Sequence, residues 1–195
     1  MAELSDTLNQ LLSGQTEQIS QRIGADGAST SNAIQAAVPS LLAALSQEAD
    51  KGSGLQQALQ KDHDGSILDN LAGYLGGTAQ LSPRTTNGAG ILDHVLGDKQ
   101  ETLARGISAK SGLDIGSVAS LLTLLAPIVM GMLGKKQSSS SGAGGGLGDL
   151  LNKEKADAQG QGGLGDILGS ILGGGSTSQG GIGDILGGLL GGKKK

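Results

Sequence analysis

A stretch of 27 residues occurs twice in this chain. Residues 19–45 and 107–133 align without a gap at an offset of 88 residues. Each copy reads as a short polar helix, a glycine turn and a long apolar helix with a proline near its middle. The identical positions pair Ile19, Ser20, Gly24, Asp26, Ser29, Pro39 and Leu45 with Ile107, Ser108, Gly112, Asp114, Ser117, Pro127 and Leu133. The repeat therefore predicts two equivalent helical hairpins.

Apolar residues recur at helical spacing throughout residues 1–134, including 66–75 as one helix, and no segment alternates in the manner of a β-strand. The chain has one Tyr and no Phe or Trp, so its core must be aliphatic, which favours close helix packing. Each proline removes a backbone hydrogen bond, so we expect kinks at Pro39 and Pro127. The predicted fold is all-α: a compact multi-helix bundle built on two pseudo-repeated hairpins with proline-kinked apolar helices.

Glycine content divides the chain into two parts. Of 37 glycines, 20 lie in residues 135–195, which are also rich in serine. We therefore predict a helical domain over residues 1–134 and a flexible Gly/Ser-rich, low-complexity tail over residues 135–195. A short unit, Gly-[Leu/Ile]-Gly-Asp-[Ile/Leu]-Leu, begins at positions 146, 163 and 181 of that tail. Each unit is too short to form a stable isolated helix.

Three interpretations of the tail remain open. It can be a solvated extension, or its units can fold when they dock on another copy or on a partner protein. Alternatively, residues 182–195 form a weak interfacial helix, because their apolar side chains precede three lysines.

Composition excludes several classes of function. Residues 1–134 carry 7 basic and 13 acidic side chains, so with so few aromatic residues a nucleic-acid partner is not expected. The absence of Cys excludes disulfides and thiolate sites. We see no signal peptide, and the most apolar run, residues 118–133, is short for a membrane span and favours a buried helix. These features predict a cytoplasmic location.

No set of residues predicts catalysis. His63 and His94 are isolated and have neither zinc-site spacing nor a serine elbow nearby. Residues 60–71 resemble a calcium loop only in part, because Gln60 and Leu71 stand where its first and last ligands belong. We therefore expect no enzyme, metal or cofactor. A pocket lined by both histidines and several carboxylates would favour an enzyme or a small-ligand binder instead.

Several spaced segments resemble one known family. Residues 64–71, 89–97, 112–114 and 121–131 read DGSILDNL, AGILDHVLG, GLD and LLTLLAPIVMG. In this order they resemble the bacterial family labelled domain of unknown function 937, which includes YidB-like proteins, over about residues 1–134. The resemblance implies a helical bacterial protein without an assigned activity, ligand or catalytic residue.

The expected function is therefore that of a non-enzymatic structural or interaction protein, acting by self-association or by binding another protein. The alternative is a peripheral membrane or envelope-associated protein that uses residues 182–195. The candidate interaction faces consist of apolar helix and tail residues: Ile34, Val38, Leu41, Leu42, Leu122, Leu125, Val129, Ile185, Leu186 and Leu189.

Overall fold

A computed structural model describes residues 3–52, 54–140, 148–149, 151–153 and 156. Its first five helices are α1 (Glu3–Ser13), α2 (Thr16–Ile23), α3 (Gly27–Lys51), α4 (Gly54–Asp62) and α5 (Ser66–Asp69). They are followed by α6 (Leu71–Leu75), α7 (Pro83–Thr86), α8 (Gly88–Leu96), α9 (Gln100–Ser111) and α10 (Ile115–Ser140). A 3-10 turn, Gly97–Lys99, links α8 to α9. No strand occurs among the described residues, so the predicted all-α bundle is confirmed.

The two sequence copies form the same local structure. In the first copy α2 ends at Gly24 with φ 71°, and in the second α9 ends at Gly112 with φ 81°. Both glycines lie in the left-handed region, which L side chains rarely adopt, and this explains the glycine in each copy. Pro39 and Pro127 lie inside the long helices α3 and α10. The predicted pair of equivalent hairpins is therefore α2–α3 and α9–α10.

Each long helix begins with an aspartate cap at the equivalent position. Asp26 Oδ1 accepts a hydrogen bond of 2.8 Å from the Ser29 N–H, and Asp114 Oδ1 accepts one of 2.9 Å from the Ser117 N–H. These bonds hold the pKa of both carboxyls below the usual value; at Asp26 the backbone N–H contributes most, and at Asp114 the Ser117 hydroxyl does. Each carboxylate satisfies an otherwise free N–H in the first turn and lies at the positive end of the helix dipole.

Replacing either cap by alanine should lower the melting temperature at neutral pH, and Asp26→Ala with Asp114→Ala together should lower it further. The lowered pKa means that this stabilisation is fully present above the ordinary carboxyl pKa of about 4 and is lost as pH falls through the folded value. The difference between wild type and the double variant should therefore shrink below about pH 4. Thermal melts followed by circular dichroism measure this, with the exposed Asp93→Ala as a control. Equal melts for Asp93→Ala and the cap variants would contradict the capping role.

The two hairpins pack across each other. Both α3 and α10 contact both short helices, α2 and α9, and they also contact one another. A polar contact joins the copies, because the Ser117 hydroxyl, which donates to Asp114 Oδ2 at 2.6 Å, also lies 3.3 Å from the Ile23 carbonyl oxygen. The buried core is aliphatic, as the composition predicts, with Tyr74 as its aromatic member among the described residues. The hairpins therefore share a single core.

The remaining helices surround this core, and the structure differs from the pattern-based prediction at two places. The predicted single helix over residues 66–75 is divided at Asn70, whose φ of −126° and ψ of 39° are not helical. The last helix, α10, continues to Ser140, six residues past the glycine at which the composition changes.

Among the described residues, α10 is the one helix whose length and mean hydropathy would suffice for a membrane span. However, 67% of its most apolar 18-residue window is buried inside the protein. Buried core helices of globular proteins have the same composition, and the burial favours that interpretation here.

Candidate functional site

The helix residues predicted as interaction faces lie in the core of the protein. Their side chains are at most 3% exposed because the chain's own helices cover them; they are Ile34, Val38, Leu41, Leu42, Leu122, Leu125 and Val129. The structure thus places them inside the monomer, since periodicity reveals an apolar face but not what covers it; their role in an interaction stays a prediction. Ile185, Leu186, Leu189 and the whole of residues 182–195 lie outside the described residues.

The first unit of the tail contacts the helical domain. Residues 148–149 and 151–153 are helical, and the Leu151 side chain is 0% exposed as a member of the core cluster. Beside it, the buried Ser46 hydroxyl of α3 donates a hydrogen bond of 3.3 Å to Asn152 Oδ1. An apolar side chain and a neighbouring polar contact therefore attach this unit to the carboxyl-terminal half of α3.

A cleft of about 270 Å³ brings both histidines together; we call it the histidine cleft. Residues from α3, α4, α7, α8 and α10 line it, together with His63 and Asn87 from the connections between helices. The lining consists of Glu48, Gly54, Leu55, Ala58, His63, Arg84, Asn87, Gly90, Ile91, His94, Val95 and Met130. Most of its lining comes from α4 and α8, and each long helix contributes one residue, Glu48 from α3 and Met130 from α10.

Two glycines of α10 position His63. A Cβ built on Gly134 would lie 1.7 Å from the His63 carbonyl oxygen, and one on Gly131 would lie 2.5 Å from Ile67 Cγ2. The loop after α4 thus lies against a notch in α10 that only glycine permits. The loop turns at Gly65, where φ is 100°, and Asp64 Oδ1 accepts a hydrogen bond of 3.0 Å from the Ser66 N–H. These contacts fix the His63 backbone at the edge of the cleft.

The His63 imidazole is buried and incompletely hydrogen-bonded. The residue is 4% exposed, and its Nδ1 has no hydrogen-bond partner among the described residues. Burial lowers the pKa of His63, and the neighbouring charges of Asp62 and Asp64 oppose this only in part. The ring is therefore neutral at neutral pH and offers one donor and one acceptor. A buried polar atom without a partner costs free energy that a suitable ligand would recover.

Three charged or titratable groups lie around the rim. The Glu48 carboxylate forms an ion pair with Lys51, one turn along α3. His94 Nε2 is 4.0 Å from the other Glu48 oxygen, and the His94 side chain is exposed. Arg84 is exposed as well, and its guanidinium has no ion pair or hydrogen bond within the described part of the chain. At the rim, the negative charge of Glu48 is therefore neutralised by Lys51, whereas the positive charge of Arg84 has no counter-ion among the described residues.

No signal in the residue pattern predicts this cleft, because His63 and His94 are 31 positions apart on elements without a shared motif. Several carboxylates beside the histidines would have favoured an enzyme or a small-ligand binder, but the lining residues include one carboxylate, Glu48. The lining residues include no Ser, Thr or Cys that could act as a nucleophile.

A second, larger and polar depression of about 430 Å³ lies between α1 and α3. It is lined mainly by hydroxyl and amide side chains, among them Ser5, Asn9 and Gln35. Its lining contains a single charged side chain, Asp6.

Comparison with known proteins gives one match. A family model described as "Bacterial protein of unknown function (DUF937)" matches residues 6–137. No curated protein and no solved structure gives a significant match to the chain. The matched region covers the two hairpins and the helices between them, which include every residue that lines the histidine cleft.

Proposed function

The chain belongs to the bacterial DUF937 family of proteins of unknown function, and from this premise we propose that it is a non-enzymatic interaction protein that self-associates through its tail units. The observation that carries the proposal is the complete burial of Leu151 against the helical domain. The helix faces that could have served instead are occupied by the core. The tail therefore supplies the contacts between copies.

The tail contains more units than the one that is seen to dock. Leu151 is the final leucine of the first unit, and Leu168 and Leu186 occupy the same place in the two later ones. In both later units Asp and Ile precede this leucine. Units of such similar sequence suit the same kind of surface, so a later unit of one chain can displace the first unit from the α3 surface of another copy.

Each such contact is weak by itself. Burying one leucine side chain contributes about 1.5–3 kcal/mol, which corresponds to a very weak complex in isolation. Because each chain carries two later units, a first contact between copies raises the effective concentration for a second one. Self-association should therefore be reversible and should increase steeply with protein concentration.

The test replaces the leucines of the later units. Sedimentation velocity should show a weight-average mass that rises with concentration for the wild type, and a monomer at all concentrations for Leu168→Asp/Leu186→Asp. Ser170→Asp/Ser178→Asp adds the same charge to the same tail outside the units and should associate like the wild type. A wild type that stays monomeric, or a leucine variant that associates like the serine variant, would refute the proposal.

A further inference from the structure

We propose that the histidine cleft binds a small monocarboxylate with an apolar body, the carboxylate lying against Arg84 and the amino end of α8. The residues of the tail contact, Ser46, Leu151 and Asn152, are not among those that line this cleft. The proposal rests on four features of the cleft: its floor, its cationic edge, its unpartnered imidazole and its size.

The floor of the cleft is apolar. Leu55 and Ala58 come from α4, Ile91 and Val95 come from α8, and Met130 comes from α10. Leu55 and Met130 are buried, and the other three are partly buried and packed against the core. An aliphatic chain placed here would remove apolar surface from water, which favours an apolar ligand body.

One edge of the cleft favours a negative charge. Arg84 lines it, and no group in the described residues neutralises its guanidinium. Asn87, which caps the nine-residue helix α8, and Gly90 in its first turn line the same cleft. The amino end of a helix carries a partial positive charge that adds to that of the arginine. An anionic head group is therefore favoured at this edge.

The second observation that points to a ligand is His63. His63 lines the cleft, it is more than nine-tenths buried, and its Nδ1 has no hydrogen-bond partner among the described residues. In the tautomer that carries its hydrogen on Nδ1, the neutral imidazole donates to a carboxylate oxygen, and a charge-assisted hydrogen bond of that kind is stronger than one between neutral groups. The unpartnered ring and the cationic edge together select a hydrogen-bond-accepting anion.

A single negative charge fits better than two. Glu48 also lines the cleft, and its own charge is already paired with Lys51 and lies near His94. A dianion such as a phosphate monoester would place its second charge in the same small space as that carboxylate, where like charges repel. The cleft therefore selects a carboxylate over a doubly charged head group.

The volume limits the length of the ligand. About 270 Å³ is slightly below the ~300 Å³ at which pockets for drug-sized molecules begin. Hexanoate, with one carboxylate and a short aliphatic chain, is a suitable probe. The neutral 1-hexanol has the same chain without the charge and serves as its control.

The test uses the full chain and follows its two histidine ring signals by NMR during titration with each probe. Hexanoate should shift the His63 signals to saturation and bind about 10-fold more tightly than 1-hexanol, as expected for a charge-assisted contact. Arg84→Gln should reduce hexanoate affinity about 10-fold, to the level of hexanol. Arg105→Gln, at an exposed arginine of α9 outside the cleft, should leave it unchanged.

A second variant tests the floor independently of charge. Ala58→Leu places extra carbons in the cleft and should abolish the binding of both probes, provided that its melting curve shows a folded protein. The proposal is overturned if hexanoate gives no saturable shift at His63, if hexanol binds equally well, or if Arg84→Gln and Arg105→Gln bind alike. It is also overturned if a folded Ala58→Leu variant still binds both probes with wild-type affinity.

Discussion

Gly134→Ala is expected to lower the free energy of unfolding by about 3 kcal/mol, the upper part of the usual range for overpacked cores. The added Cβ would lie 1.7 Å from the His63 carbonyl oxygen and 3.5 Å from that of Leu59. The obstacle is backbone rather than a flexible side chain, so either α10 or the end of α4 must move. The intrinsic preference of a helix for alanine over glycine, about 1 kcal/mol, is too small to offset this.

Urea unfolding followed by circular dichroism measures the change. Gly27→Ala is the matched control, since a Cβ there meets nothing within 4 Å and the residue also lies in a long helix. That variant should be neutral, or slightly stabilised through reduced freedom of the unfolded chain. If the alanine at position 134 were as harmless as the one at position 27, the close approach of the loop to α10 would be wrong.

Leu122→Ala is expected to cost about 3 kcal/mol, and Leu42→Ala a similar amount, because each removes a fully buried side chain and leaves a cavity. Leu11→Ala should cost clearly less, since Leu11 is only partly buried. This prediction decides between the two roles considered for these leucines. Core residues stabilise the monomer, whereas residues of an interface between copies affect association first.

The same three variants should therefore be compared by chemical unfolding and by sedimentation velocity. If these leucines are core residues, the variants should have a lower free energy of unfolding. Under conditions where the variants are folded, their weight-average mass should depend on protein concentration as that of the wild type does. Wild-type stability combined with lost association in Leu122→Ala would instead restore the predicted interaction face.

Local signals in the sequence predicted much of the fold. The glycine turns at Gly24 and Gly112 depend on a few neighbouring residues, so the repeat predicted them directly. The long apolar helices followed from their length and composition.

Features that depend on distant parts of the chain were not predicted. The break at Asn70 interrupts a regular apolar pattern, and the notch at Gly131 and Gly134 serves a loop some 70 positions earlier. The histidine cleft depends on the same approach, since the notch holds His63 at its edge. A residue pattern along one helix contains no information about which distant loop will lie against it.

The crossed packing of the hairpins has a consequence for how the chain acquires its structure. The long helix of the first hairpin ends at Lys51, but it needs α9, which begins at Gln100, and α10 beyond it to cover its apolar side. A ribosome releases the amino end first, so that side remains open to solvent until most of the second copy has emerged. Because these contacts join remote segments, we expect the two copies to complete their structure in one cooperative event rather than in succession.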